Sequence, residues 1–537
     1  MDRRRFLDPQ ESSSFLAGLL LLSSTALFVA TGKDAGIRNS SQGIAVLPFE
    51  QIQPKSEAVL FAFDDYFIPF RSNLFVTLRT VEKYPGNPIL RRGEAGRPDD
   101  ARTQFHGTVL RVGGKFRMWY VAWDEESIQA MDRGELFLPR LAYAESDDGI
   151  HWTKPSLGLV EYHGSKANNL VEIESGVLWP SIIFEPEEPD PAKRYKMMFK
   201  AEGREGILAR YSEVKLIMSA LCAFSADGLH WRLSQHNPPL KANLEGANFY
   251  RFNGGYFVQG QIINRWAPHT GLLLSGDPTG RVLFTYRSPD FVHWIQAPAL
   301  SFARYGYRSA PAGTVEEAHT ANGAWNRENV VISAYSQWHG AEKGESWTDL
   351  GLMISNDGIH FREPIPDFKL ISRGERESWE GGSLWGASFQ NVDNKTYIYY
   401  AGLNLGGSNA LGRGNIGLAT LERDRFGYLS LKIPGDVGTL ITCPIHLGKA
   451  ARIFANVELE SGSITFSLID EKLQPIAGYS QEESQPLTNS GLRQAVGWKR
   501  GQVIEGLAER KVMLQVRFTG SGGRSPRLFA VYIDSSR

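Results

Sequence analysis

At 537 residues with a formal net charge of −1, the chain is too long for one ordinary hydrophobic core and too neutral to hold a nucleic acid by phosphate neutralisation. Two cysteines, Cys222 and Cys443, exclude a disulfide framework, and no Cys/His spacing marks a metal site. Aromatic residues at 11%, with 55 glycines and 27 prolines, suit a turn-rich all-β chain that takes a neutral ligand.

The first 34 residues read as a targeting segment. Arg3-Arg4-Arg5-Phe6-Leu7 precedes an apolar run from Phe15 to Ala30, the order of a basic n-region and an h-region. The Arg-Arg-x-Phe-Leu order is similar to a twin-arginine signal, so the protein is expected to be exported: periplasmic, extracellular or membrane-tethered. Membrane contact is expected through this segment alone. Residues 35–98 form a lead-in with a strand over Val59-Leu60-Phe61-Ala62-Phe63, placed to wrap or close the domain that follows.

From residue 99 a short turn recurs. Its copies are Ser146-Asp147-Asp148-Gly149-Ile150-His151-Trp152, Ser225-Ala226-Asp227-Gly228-Leu229-His230-Trp231, Ser288-Pro289-Asp290-Phe291-Val292-His293-Trp294 and Ser355-Asn356-Asp357-Gly358-Ile359-His360-Phe361. A degenerate fifth lies around Ala419-Thr420-Leu421. Asp-Gly supplies the left-handed position of a tight hairpin, and apolar strand-like runs precede each copy. Five such units predict a five-bladed β-propeller over 99–432. The turn histidines His151, His230, His293 and His360 are expected to be structural.

In a propeller the innermost strands start at the axis, so polar residues at their heads converge. Those are Asp99, Asp100 and His106, then Glu245, then Glu316, Glu317 and His319, then Glu380. Carboxylates and imidazoles beside Trp179, Trp379 and Trp385 suit a sugar, whose hydroxyls bind polar groups and whose apolar face stacks on rings. Glycoside cleavage needs a pair of carboxyl groups, one acid and one base or nucleophile. No cofactor is implied. A structural calcium on the axis is compatible with such a channel, though no spacing calls for it. Alternating strands over 433–537, such as Ile464–Ile469 and Val512–Phe518, read as a C-terminal β-sandwich.

The repeated Ser-x-Asp-Gly-x-His-Trp turns resemble those of the five-bladed propeller glycoside hydrolases, the superfamily of families 32, 43, 68, 117 and 130. The segment Leu244-Glu245-Gly246-Ala247-Asn248-Phe249-Tyr250-Arg251-Phe252-Asn253-Gly254-Gly255-Tyr256 is similar to the family 43 segment that carries Glu-Gly-Pro, with Ala247 in place of Pro. The resemblance implies that Glu245 is the general acid. It also implies a base at the head of the first inner strand and an Asp in the second, where this chain has His106 and Ser181. Asp99 or Asp100 is then the candidate base, and the likeness to family 117 makes His106 and His319 acid or base candidates. Trp179, Glu317, Glu380 and Trp385 are the candidate sugar-binding residues. The C-terminal module resembles the buttressing sandwich of family 32. The expected activity is hydrolysis of terminal sugars from a polysaccharide or oligosaccharide. The alternative is a catalytically inactive propeller that binds glycan or a partner protein.

Overall fold

A computed structural model describes residues 57–536 apart from 136, 203–219, 243, 264–280, 305–316, 341–345, 406–411 and 509. The expected targeting segment and Glu316 lie outside the described residues. The described chain is all-β, with one α-helix, Glu125–Asp132, among the described residues. No described helix is long and apolar enough to cross a membrane.

Antiparallel meanders follow one another along the chain. The first comprises Arg102–Val112, Lys115–Trp123 and Arg140–Ser146. The second runs Gly176–Phe184, Tyr195–Glu202, Ala220–Ser225 and Arg232–Leu233. The third has Glu245–Phe252, Gly255–Ile263, Arg281–Ser288 and Ala299–Phe302. The fourth has Glu317–Asn326, Val331–Gly340, Ser346–Ser355 and Lys369–Ile371. The fifth comprises Ser383–Val392, Lys395–Leu403 and Gly414–Glu422, with Glu82–Lys83 from the lead-in as its outer strand. The inner strand of each meander neighbours the next, and the fifth returns to the first, a propeller-like ring.

Two devices close that ring. Each inner strand carries a β-bulge, between Gln104 and Thr108, Leu178 and Ser181, Glu245 and Asn248, Asn322 and Trp325, and Trp385 and Ser388. The residue after the bulge then clasps the next inner strand. Thr108 Oγ1 accepts the Ile182 N–H at 2.9 Å, Ser181 Oγ that of Phe249 at 3.1 Å, Asn248 Oδ1 that of Ala324 at 2.8 Å and Ser388 Oγ that of Val109 at 3.1 Å. In the fourth meander Trp325 stacks on Phe389 instead, with ring centroids 5.7 Å apart. The backbones nearly touch: a Cβ on Gly386 would sit 1.7 Å from the Phe105 carbonyl oxygen, and one on Gly323 1.9 Å from that of Ala387. Both glycines also hold left-handed φ angles, 68° and 59°.

The repeated turn is the second device. It is wider than the expected tight hairpin, because the Asp side chain organises the loop. Asp148 Oδ1 accepts the N–H groups of Ile150 and His151 at 2.8 Å, Oδ2 meets His151 Nδ1 at 2.6 Å, and Ser146 Oγ accepts the Gly149 N–H at 2.9 Å. Asp227, Asp290 and Asp357 repeat the bonds to their histidines. Each turn then reaches the preceding meander. Gly149 O accepts from Tyr399 OH, Gly228 O from Trp119 Nε1 and Gly358 O from Tyr250 OH, while Phe291 packs 5.3 Å from Phe224. The fifth turn does so through buried Asp424, which pairs with Arg327.

The C-terminal residues form two antiparallel sheets. One contains Ala450–Glu458, Arg527–Ser536 and Gly427–Leu431, the other Val437–Ile441, Lys511–Thr519 and Ser463–Ile469. Most of the lead-in belongs here: Glu57–Phe61 pairs with Arg527–Ser536, Leu74–Leu78 with Gly427–Leu431, and Phe70–Ser72 with Val437–Ile441. One apolar cluster spans both sheets and the fourth and fifth meanders, from Ile332 and Ile398 to Ile453 and Val516.

The backbone contact at Gly386 predicts that Gly386→Ala lowers stability by at least about 3 kcal/mol. Gly113→Ala, with a similar φ of 62° but open space around its Cβ, should cost about 1 kcal/mol. Equal losses in urea unfolding would contradict the clasped ring. The turns predict an acid response. Burial raises the Asp227 and Asp290 carboxyls, but the N–H and imidazole donors outweigh it and hold both at about 2, below the ordinary 3.8. A carboxyl with a depressed folded pKa stabilises the fold above its unfolded value, and that contribution fades as pH falls from about 4 to about 2. The double variant Asp227→Asn/Asp290→Asn should therefore lose less stability than wild type across that window.

Candidate functional site

At the start of the inner strands the pleat turns residues two apart to one face, and the register breaks that follow re-aim His106 and His319. Arg102, Gln104 and His106 follow this spacing in the first meander, and Glu317 and His319 in the fourth. All five meanders contribute to one cluster. The His106 ring lies 5.9 Å from that of Trp179 and 5.0 Å from that of Trp385. His319 lies 5.1 Å from Trp385 and stacks on Trp338 at 4.7 Å. The Arg281 guanidinium sits 4.9 Å over Trp338 and pairs with Glu317 at 2.8 Å. Glu245, half-buried at the head of its strand, accepts from Gln261 Nε2.

The polar atoms of this cluster are under-satisfied. Among the described residues, His106 Nε2, His319 Nδ1 and the Nε1 of Trp179, Trp338 and Trp385 are buried without a hydrogen bond. A buried polar atom without a partner costs about 1–3 kcal/mol, so five in one place signal a ligand that supplies partners. Both imidazoles are neutral. Burial, with Arg102 nearby, pushes His106 down to about 3, and burial with Arg281 and His106 pushes His319 well below its ordinary value.

Trp179 is held under strain. It takes a φ of 49° at the bulge position where Gly246, Gly323 and Gly386 stand in the other meanders. A left-handed φ costs a bulky L-residue about 1–2 kcal/mol. The indole is retained there against His106, with the Lys200 ammonium 5.1 Å from its ring centroid. From His106 and Trp179 a hollow of about 270 Å³ runs between the inner strands, lined by Val109, Ile182, Phe249, Phe389 and Arg251 and, among the described residues, by no carboxylate.

The structure therefore brings together His106, Trp179, Glu317, His319 and Trp385, with Glu245 at the same end of the ring. Other expected residues stand elsewhere. Asp99 accepts from Tyr120 OH at 2.7 Å and pairs with Lys154, and Asp100 accepts the backbone N–H groups of Glu125 and Gly96. Both brace the outer side of the first meander, so the geometry does not offer either as a base. Glu380 is the same device in the fifth meander, bonded to Tyr400 OH at 2.7 Å and Lys83 at 2.8 Å, and Trp379 stacks on Tyr400. Ser181 is an inner-strand clasp. Sequence reading missed Gln104, Gln261, Arg281 and Trp338. The last three lie on second and third strands, whose ends reach the same face in an antiparallel meander. Among the described residues no group of His, Cys, Asp and Glu could hold a metal ion.

No family profile matches the chain. An uncharacterized protein of Mycobacterium tuberculosis is 30% identical over 128 residues, 23% of this chain. The chain spans 32% of that curated relative's length. Among solved structures the chain is similar to a glycosyl hydrolase from Bacteroides ovatus, with 17% identity and a TM-score of 0.42 over 65% of this chain and 95% of that one. It is also similar to a β-1,2-mannobiose phosphorylase from Listeria innocua in complex with β-1,2-mannobiose, with 12% identity and a TM-score of 0.38 over 64% and 97%.

Strain at Trp179 makes a reversed order of stability the expected outcome. At an ordinary strand position Gly is less stable than Ala by about 0.5–1 kcal/mol. Here Trp179→Gly should be more stable than Trp179→Ala by about 1 kcal/mol, measured by urea unfolding of both variants. The ordinary order would show that the backbone is not held left-handed.

Proposed function

We propose that the chain is a glycosidase, with a terminal sugar seated on Trp179 and Trp385 at one end of a five-bladed propeller and Glu245 as general acid. The observation that carries this reading is the set of five partnerless buried polar atoms on a cluster of tryptophans and neutral histidines. A sugar matches that surface: its C–H face stacks on indole rings, and its hydroxyls and ring oxygen supply acceptors for N–H groups. The described arginines at this end are already paired, Arg281 with Glu317 and Arg413 with Glu125, which does not favour an anionic polymer.

Glu317, on the inner strand adjacent to that of Glu245, is the proposed second carboxylate, in the role that sequence reading gave to Asp99 or Asp100. The two heads flank the same cluster, so a glycosidic oxygen over Trp385 has an acid on one side and a carboxylate on the other. The two C-terminal sheets are proposed as a β-sandwich that buttresses the propeller through their shared apolar core. Residues 1–34 are proposed as an export signal. Recovery of the mature chain from the cytoplasm alone, with its N-terminus intact, would remove that part.

A second reading, a glycan-binding propeller without turnover, is favoured by His106 and Ser181 standing where the family 43 resemblance implies carboxylates. A panel of aryl glycosides and polysaccharides separates the two. Glu245→Gln should lower kcat on the cleaved substrate by about 10²–10⁴-fold with little change in binding. Turnover equal to wild type would remove Glu245 from the chemistry, and binding without turnover in both proteins would establish the second reading.

A further inference from the structure

The hydrogen-bond polarity of His106 is set from behind. The Arg102 guanidinium has donors only, and its Nη1 lies 3.3 Å from Gln104 Oε1, so the amide oxygen of Gln104 must face Arg102. Its NH₂ then faces His106, with Gln104 Nε2 3.1 Å from His106 Nδ1. An amide NH₂ only donates, so Nδ1 is the acceptor and the ring proton resides on Nε2. Arg102 is in turn anchored by the Gly412 carbonyl, which accepts from its Nε at 3.0 Å and its Nη2 at 2.6 Å. All three side chains are buried, which removes water as a competing partner.

We propose that Arg102 and Gln104 are positioning residues that lock His106 as a permanent Nε2–H donor, so that His106 selects a ligand oxygen that accepts a hydrogen bond and does not shuttle protons. The ligand clause rests on the carbohydrate reading above; the tautomer does not. In a neutral imidazole with one nitrogen already accepting, the other can only give. A hydroxyl oxygen, ring oxygen or glycosidic oxygen between Trp179 and Trp385 satisfies it, whereas a group that can only donate does not. His106 thereby leaves the acid or base role that the family 117 resemblance implied for it.

The test uses the full chain labelled with ¹⁵N-histidine, with His106 assigned by its absence from His106→Asn. Long-range ¹H–¹⁵N correlation should show Nδ1 with a pyridine-like shift and Nε2 with a pyrrole-like shift. Gln104→Glu presents a carboxylate, which only accepts, and should exchange the two signals. Arg102→Met frees the Gln104 amide to turn and should give a mixture, while Arg102→Lys, which still donates, should restore the wild-type pattern. A pyrrole-like Nδ1 in wild type overturns the proposal outright, even if every variant fails to fold. Unchanged shifts in folded Gln104→Glu overturn the relay.

A binding arm uses the methyl glycoside that the panel identifies, with each hydroxyl replaced in turn by hydrogen or by fluorine. At one position the deoxy analogue should bind about tenfold more weakly than the fluoro analogue, because fluorine keeps an acceptor. That difference should vanish in His106→Asn. Failure of every glycoside to bind would sink the carbohydrate reading and leave the tautomer result standing. Equal losses for both analogues at every position would sink the selectivity claim alone.

Discussion

The ring of inner strands depends on a clasp one residue wide. A short polar side chain after four of the five bulges takes the backbone N–H of the next strand, from Thr108 through Ser181 and Asn248 to Ser388, which returns to Val109, and the Trp325–Phe389 stack makes the fifth link. Each bond is worth only about 1 kcal/mol net. Their arrangement matters more than their sum, because a cycle of neighbours leaves no inner strand without a lateral partner. The clasp works only where backbones come within contact, which is why Gly323 and Gly386 cannot carry a Cβ. The Asp-organised turns repeat the cycle at larger radius, each bonded to or packed on the meander before it.

The same bulge that closes the ring points the strand heads inward. Above it lie His106, Trp179, Glu245, His319 and Trp385. Below it the hollow mixes apolar side chains with polar ones that are paired, Thr108, Ser181, Asn248 and Ser388 in the clasps and Arg251 with Glu185. Strain at Trp179 and five unsatisfied nitrogens thus meet at one end of the ring. Trp179 pays a left-handed backbone where glycine would relax, and five N–H or imidazole nitrogens stay buried without partners. Folding energy favours neither, so a ligand that satisfies the donors and packs on the indole accounts for both.

Local chemistry was readable and convergence was not. The Asp-Gly turns declared themselves, because only a few residues tolerate a left-handed position beside a self-capping Asp. The fifth copy escaped, since Asp424 spends its carboxylate on Arg327 and keeps no histidine. Asp99 and Glu380 looked like pocket acids because each lies three residues ahead of an inner strand. In the fold that position points outward to a Tyr–Lys pair, a partner set drawn from distant strands. The lead-in strands were legible as strands, but their partners some 470 residues away, as in Val59 against Tyr532, were not. Trp338 and Arg281 could have been found by asking which strand ends share a face with the heads. The strain on Trp179 could not, since nothing in Trp-Pro-Ser announces a glycine-like backbone.

The central claim is that the partnerless donors around His106 are a sugar site. It is tested most directly by an experimental structure of the chain with the tightest-binding oligosaccharide from the panel. The account predicts a terminal ring stacked on Trp179 or Trp385, with a sugar oxygen within hydrogen-bonding distance of His106 Nε2 and the glycosidic oxygen beside Glu245. A sugar bound elsewhere, on the C-terminal sheets or at the far end of the hollow, with His106 Nε2 still unbonded, would contradict it.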